Sequence, residues 1–210
     1  MRWLIVVLVA LLVGLSRDGT AQPGAREPMR IVLLVDSSGT VAPMLTSFRA
    51  GLKVFLDELP GESEIALVST GGQFRMRVPP TSDRQKLRAA AGSFTADGGS
   101  NSVVRTMVEA DTRLLKGADR RRAVLVVITT DRGGYPNDNS VDIYNTFVRD
   151  FLGRGGRAHA VIIRPSGGGV TSEILEHLTE NTGGFRETIT IASALPKVMK
   201  TLTEYVAADQ

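Results

Sequence analysis

The residues able to do chemistry in this chain stand at the ends of apolar runs. In "RIVLLVDSSGT" (Arg30 to Thr40) the apolar side chains stop at Asp36, and Ser38 and Thr40 follow. A second polar point, "TADGGSN" (Thr95 to Asn101), carries Ser100 behind Asp97, Gly98 and Gly99. A third, "AVLVVITTD", delivers Asp131 at the end of another apolar run. Two carboxylates and three hydroxyls, without histidine or cysteine, make a hard oxygen donor set. Such a set suits Mg²⁺ first, with Mn²⁺ or Ca²⁺ as alternatives, and disfavours soft metals. With only two acids, a divalent ion there stays electrophilic, and water or an incoming carboxylate completes its shell. Each residue also has a plainer use. Ser38 or Thr40 can cap a helix, Ser100 can cap the helix after it, and Asp131 can close an Asx-turn.

Bringing three distant points together requires a sheet. Short β-branched runs read as strands at Arg30–Val35, Glu64–Thr70, Ala123–Thr129, Ala158–Ile163 and Gly184–Thr188. The alternating "QFRMRV" (Gln73–Val78) follows Gly71-Gly72. It reads as an antiparallel edge strand stopped by Pro79-Pro80, with basic side chains that discourage edge-to-edge pairing. Amphipathic spacing predicts helices over Met44–Leu59, Asp83–Ala91, Val103–Leu115, Val141–Leu152, Ser172–Glu180 and Ile191–Val206. Interleaved strands and helices imply an α/β fold: a doubly wound, mostly parallel six-stranded sheet with one antiparallel edge strand and helices on both faces. In such a sheet, ligands bind outside the carboxyl ends of the strands, at the switch point of strand order. Asp36, Ser100 and Asp131 all lie where loops can meet at that edge.

"DSSGT", "GGSN" and "TTD" together resemble the metal-ion-dependent adhesion site of von Willebrand factor type A domains, and the resemblance runs from about Met29 to Ala207. The family motif is Asp-x-Ser-x-Ser, then a Thr, then an Asp ending the central strand. Asp36, Ser38 and Asp131 match it; Thr40 stands for the second Ser and Ser100 for the Thr, each keeping a hydroxyl. The resemblance implies that Ser38, Thr40 and Ser100 are hydroxyl ligands. It implies that Asp36 and Asp131 act through water and hold the hydroxyls in place. It further implies a non-enzymatic binding module whose partner is a protein presenting an Asp or Glu. The family often has Gly after the last Asp. Arg132 stands there instead, a guanidinium able to compete with the metal or to pair with the partner's acid.

An enzyme alternative is a Mg²⁺-dependent phosphatase of the haloacid-dehalogenase type, which Asp36 and Thr40 would suit. Ser38 occupies the place of its general acid, which argues against turnover. A metal-independent scaffold of the same fold is the third reading. No Gly-x-Ser-x-Gly elbow and no P-loop lysine fingerprint occur. The chain has no cysteine, which excludes disulfides, thiolate-zinc sites and thiol catalysis. Its two histidines, His159 in a strand and His177 on a helix, read as structural. A net charge of +3 without a basic stripe argues against nucleic acid. Arg120-Arg121-Arg122 reads as a solvated strand entry, "PSGGGV" (Pro165–Val170) as a flexible connection, and Tyr135 and Asp138 as loop residues bordering the site.

The first 21 residues read as a cleaved secretory signal. Arg2 gives a positive start, Trp3–Leu15 is an apolar block below the ~20 residues of a bilayer span, and Gly19 and Ala21 flank a cut after Ala21. Residues 22–29 are then a short tail and 30–208 the domain, placed outside the cytoplasm, with an uncleaved anchor as the alternative.

Overall fold

The computed structural model describes residues 28–61, 63–118, 121–132, 138–164 and 169–208. Residues 1–21, read above as a secretory signal, lie outside the described residues, as do Tyr135, Arg120 and 165–168 of the glycine-rich connection.

Six strands form one sheet: β1 Met29–Val35, β2 Glu64–Ser69, β3 Arg75–Thr81, β4 Arg122–Thr130, β5 Arg157–Ile163 and β6 Arg186–Ile189. Their order is β3-β2-β1-β4-β5-β6. Every neighbouring pair is parallel except β2–β3. Strand order turns back between β1 and β4, so the switch point lies between the carboxyl ends of the two strands that deliver Asp36 and Asp131.

Alternation along the strands divides the core. Ile31, Leu33 and Val35 of β1 join Val124, Val126 and Ile128 of β4 on one face. Val32 and Leu34 join Leu125 and Val127 on the other. The first face is covered by α1 (Leu45–Glu58), α2 (Arg84–Gly92) and α6 (Leu195–Ala208). The second is covered by α3 (Val103–Ala110), α4 (Asp138–Gly153) and α5 (Val170–Thr182). Phe48, Leu52, Phe55 and Leu56 of α1 are buried at helical spacing, each contributing about 1.5–3 kcal/mol of apolar burial. Among the described residues, no helix is long and apolar enough to cross a membrane.

The structure corrects several boundaries. Pro79-Pro80 does not stop the edge strand: β3 continues to Thr81, because an edge strand tolerates residues that cannot donate to a ladder. Its pairing with β2 shifts register between Ile65 and Val68. The Val103 helix widens into a π-turn at Asp111–Leu115, with Lys116 N–H donating to Asp111 O, rather than running on as one α-helix. A 3-10 turn, Gly39–Met44, precedes α1 and contains Pro43. α4 begins at Asp138, so Asp138, expected in a loop, opens the helix, which starts three residues before the expected Val141.

Asp83 caps α2, its carboxylate accepting the Lys86 N–H at 3.0 Å. Asp83→Ala is expected to cost about 1 kcal/mol, read as a lower urea midpoint at unchanged slope.

Candidate metal site

Asp36 is the knot of the site. It leaves β1 directly, is fully buried, and spends both carboxylate oxygens on neutral donors. Oδ1 accepts the Ser38 N–H at 2.8 Å. Oδ2 accepts the Thr130 N–H at 3.0 Å, the Thr130 hydroxyl, and Asn101 Nδ2 at 3.1 Å. One side chain thus ties the ends of β1 and β4 to the loop before α3. Among the described residues no Lys or Arg pairs with Asp36, so its charge is met by dipoles alone.

Ser38 N-caps the 3-10 turn by position, yet its hydroxyl makes no capping bond. The hydroxyl oxygen is buried and has no hydrogen-bond partner, in a residue 1 % exposed. A buried hydroxyl left unpaired costs about 1–3 kcal/mol, which calls for an explanation such as an unseen water or ion. Thr40 follows in the same turn and is half-buried; Ser100 is exposed at the tip of its loop. Ser102, not Ser100, holds the cap position of α3, and its side chain makes no capping bond either. The capping uses of Ser38 and Ser100 are therefore not realised.

Backbone hydrogen bonds stitch the loops. Gly39 N–H donates to Gly99 O, Asp97 N–H to Ser37 O at 2.7 Å, and Gly72 N–H to Ser100 O at 2.8 Å. Gly71 permits the approach: a Cβ there would lie 2.6 Å from both the carbonyl and hydroxyl oxygens of Ser37. The loops of Asp36, Ser38, Thr40 and Ser100 are thereby brought to one edge of the sheet. Among the described residues no hydrogen bond joins the side chains of Ser38, Thr40, Ser100 and Asp131 to one another.

Asp131 is placed differently. Its side chain is 4 % exposed. Oδ1 accepts the Ser172 N–H at 3.0 Å, in the first turn of α5, and Oδ2 lies 2.8 Å from Arg164 Nε. Arg132, expected beside the site, is exposed. The guanidinium that reaches Asp131 belongs to Arg164.

Sequence reasoning missed a second anchor. Asp97 accepts the hydroxyls of Ser37 at 2.8 Å and Ser69 at 2.9 Å. It also pairs with Arg75 at 2.7 Å and Arg77 at 2.6 Å. Burial raises the Asp97 carboxyl, but the Ser37 and Ser69 hydrogen bonds and the Arg77 charge outweigh it, and the net shift is below the ordinary 3.8. Arg75 and Arg77 are thus partners of the site loop rather than free edge charges. Their spacing of two, which puts both on one face of β3, was the available signal.

The histidines stand in structural surroundings: His159 Nδ1 accepts the Phe185 N–H at 3.0 Å, and His177 Nδ1 is 3.4 Å from the Tyr144 hydroxyl. Arg121 pairs with Glu64 at 3.2 Å, as a strand entry would.

The donor set fits a hard cation on the Asp36–Ser38 side, where, among the described residues, the buried carboxylate has no cationic partner and the buried hydroxyl no partner at all. On the Asp131 side it fits less well, since one oxygen already faces a guanidinium. Among the described residues no three His, Cys, Asp or Glu side chains gather into a metal-binding group. The candidate set has two carboxylates and depends on hydroxyl and water oxygens for the rest.

A family model for the von Willebrand factor type A domain matches residues 31–134. No curated protein matches the chain. Among solved structures, a von Willebrand factor type A protein from Catenulispora acidiphila superposes with a TM-score of 0.68 at 17% identity, over 84% of this chain and 42% of that one. Proximal thread matrix protein 1 from the mussel byssus gives 0.70 at 13%, over 87% and 48%. The manganese-loaded TRAP protein of Plasmodium vivax gives 0.57 at 16%, over 83% and 74%. The chain thus spans less than half the length of the first two.

Proposed function

Since the chain carries a von Willebrand factor type A domain, we propose that it is a protein-binding module that engages an acidic side chain of its partner through a divalent cation. Asp36, Ser38, Thr40, Ser100 and Asp131 would hold the ion, Mg²⁺ first and Mn²⁺ or Ca²⁺ as alternatives. The bound ion supplies an electrophilic centre for a carboxylate. The chain's own residues do the positioning: Asp36 fixes the Ser38 backbone, and the Asp97 network fixes the loop that carries Ser100. The reading is non-enzymatic, because Ser38 stands where a phosphatase of this motif needs a general acid. The manganese in the Plasmodium vivax relative supports the choice of a divalent cation. The apolar leader supports a location outside the cytoplasm.

One observation carries this reading most: the Ser38 hydroxyl is buried at the switch point with no partner. The test is thermal unfolding with Mg²⁺ or Mn²⁺. At a concentration about 100 times the dissociation constant, the ion contributes about 2.7 kcal/mol, or a rise in Tm of about 5–10 °C for a domain of this size. Ser38→Ala removes the unpaired hydroxyl, so it should hold or slightly raise the Tm in chelator and lose the metal-induced rise. An equal rise in both proteins, or none in wild type, would sink the reading.

A further inference from the structure

Asp131 and Arg164 are neighbours by construction. β4 and β5 pair in parallel with Thr130 opposite Ile163, so the next residue of each strand, Asp131 and Arg164, emerges side by side. Two backbone bonds hold the placement: Asp131 N–H donates to Ile163 O at 3.1 Å, and Arg164 N–H donates to Ile189 O at 2.8 Å. The guanidinium needs little reach, and Nε comes within 2.8 Å of Asp131 Oδ2.

That contact is an ion pair without a directed hydrogen bond. Asp131 Oδ2 and Arg164 Nε are both buried and neither finds a hydrogen-bond partner of good geometry. The pair balances charge, yet the oxygen's lone pairs are not engaged as they would be in a fork-to-fork arginine–carboxylate bond. The other oxygen is held by Ser172 N–H at the start of α5, where the helix end also favours a negative charge. Asp131 is therefore neutralised from within, whereas Asp36 is not. Arg164 is 32 % exposed in its side chain and has solvent to withdraw into.

We propose that Arg164 is the resident cation of this site: it balances Asp131 in the metal-free protein and must leave Oδ2 before that oxygen can serve a divalent ion. The inference rests on the metal-site reading above. Pairing with Arg164 and service to a metal would compete, because two cations drawn to one carboxylate oxygen repel each other. Arg164 thereby sets how much free metal the protein needs before its site fills.

The test is Mn²⁺ binding by the full chain, followed by the electron paramagnetic resonance of the free ion, with chelator Tm measured in parallel. Arg164→Gln should bind Mn²⁺ about 10- to 100-fold more tightly than wild type. It should also melt a few degrees lower in chelator, a deficit that Mn²⁺ restores. Arg164→Lys, which keeps a positive charge, should stay near wild type in affinity. Binding by Arg164→Gln alone would support the inference in its strongest form, with the arginine standing in for the metal in wild type. Equal Mn²⁺ affinity in wild type and Arg164→Gln would overturn the inference and leave the metal site intact. Absence of binding in every protein would overturn both.

Discussion

Asp36→Ala should destabilise the domain by about 4 kcal/mol in the absence of metal. The carboxylate is wholly buried and accepts from the Ser38 N–H, the Thr130 N–H, the Thr130 hydroxyl and the Asn101 amide. Truncation leaves those four buried donors without their acceptor. Each orphaned buried donor costs about 1–3 kcal/mol, with relaxation recovering part of the sum. It also unties β1 from β4 and from the loop before α3. Asp36→Asn should lose about half as much, since its carbonyl still accepts while its amide faces other donors. Urea unfolding in chelator reads both. A loss under about 1 kcal/mol for Asp36→Ala would mean that Asp36 does only what an exposed cap does. Because the variant is expected to be this unstable, it is a poor control for metal binding, and Ser38→Ala is the cleaner one.

The fold was legible because its signals are local. The five apolar runs, the helical spacing between them and the alternating segment after the glycine turn each state an element within a few residues. The interleaving of strands and helices also implied helices on both faces, and the two cores lie there. What failed at the boundaries failed for tertiary reasons. Pro79-Pro80 breaks a central strand and not an edge, and the sequence alone does not say how far an edge strand runs. The π-turn at Asp111 leaves the apolar spacing of Val103–Leu115 nearly unchanged, so periodicity does not betray it.

The candidate site was legible in its members and not in its contacts. "DSSGT" and "TTD" mark Asp36 and Asp131 as residues delivered by strand ends. Which cation faces Asp131 depends on the β4–β5 register, and register is a relation between segments 33 residues apart. Arg132, adjacent in sequence, points to solvent; Arg164, adjacent in space, makes the contact. Asn101 was the last letter of "GGSN", yet its amide binds both Asp36 and the Thr129 hydroxyl, at 3.1 and 2.6 Å. The residues that hold a site in shape carry no motif of their own, since any donor of the right reach satisfies the geometry.

Asp97 shows the same point with a second large expected effect. Asp97→Ala should cost about 3 kcal/mol at neutral pH. Its carboxylate, 6 % exposed, gathers the hydroxyls of Ser37 and Ser69 and the guanidinium of Arg77, which is 22 % exposed. Arg75 is 52 % exposed and adds little, since a solvated pair contributes well under 1 kcal/mol. The loss should depend on pH in a defined direction. Folding holds the Asp97 carboxyl below its ordinary 3.8, so its contribution is fully present above 3.8 and fades as pH falls through the lower folded value. The stability gap between wild type and Asp97→Ala should therefore be constant from neutral pH down to about 5 and should narrow in strong acid. A gap that widens on acidification, or one already absent at pH 7, would contradict the network. Loss of Asp97 should also weaken metal binding although Asp97 is not among the proposed ligands. Its backbone and side chain fix Ser37, and through Ser37 the loop that aims Ser38. Thermal unfolding of Asp97→Ala with and without Mn²⁺ separates the two effects: the metal-free Tm reports the network, and the reduced metal-induced rise reports the positioning of Ser38.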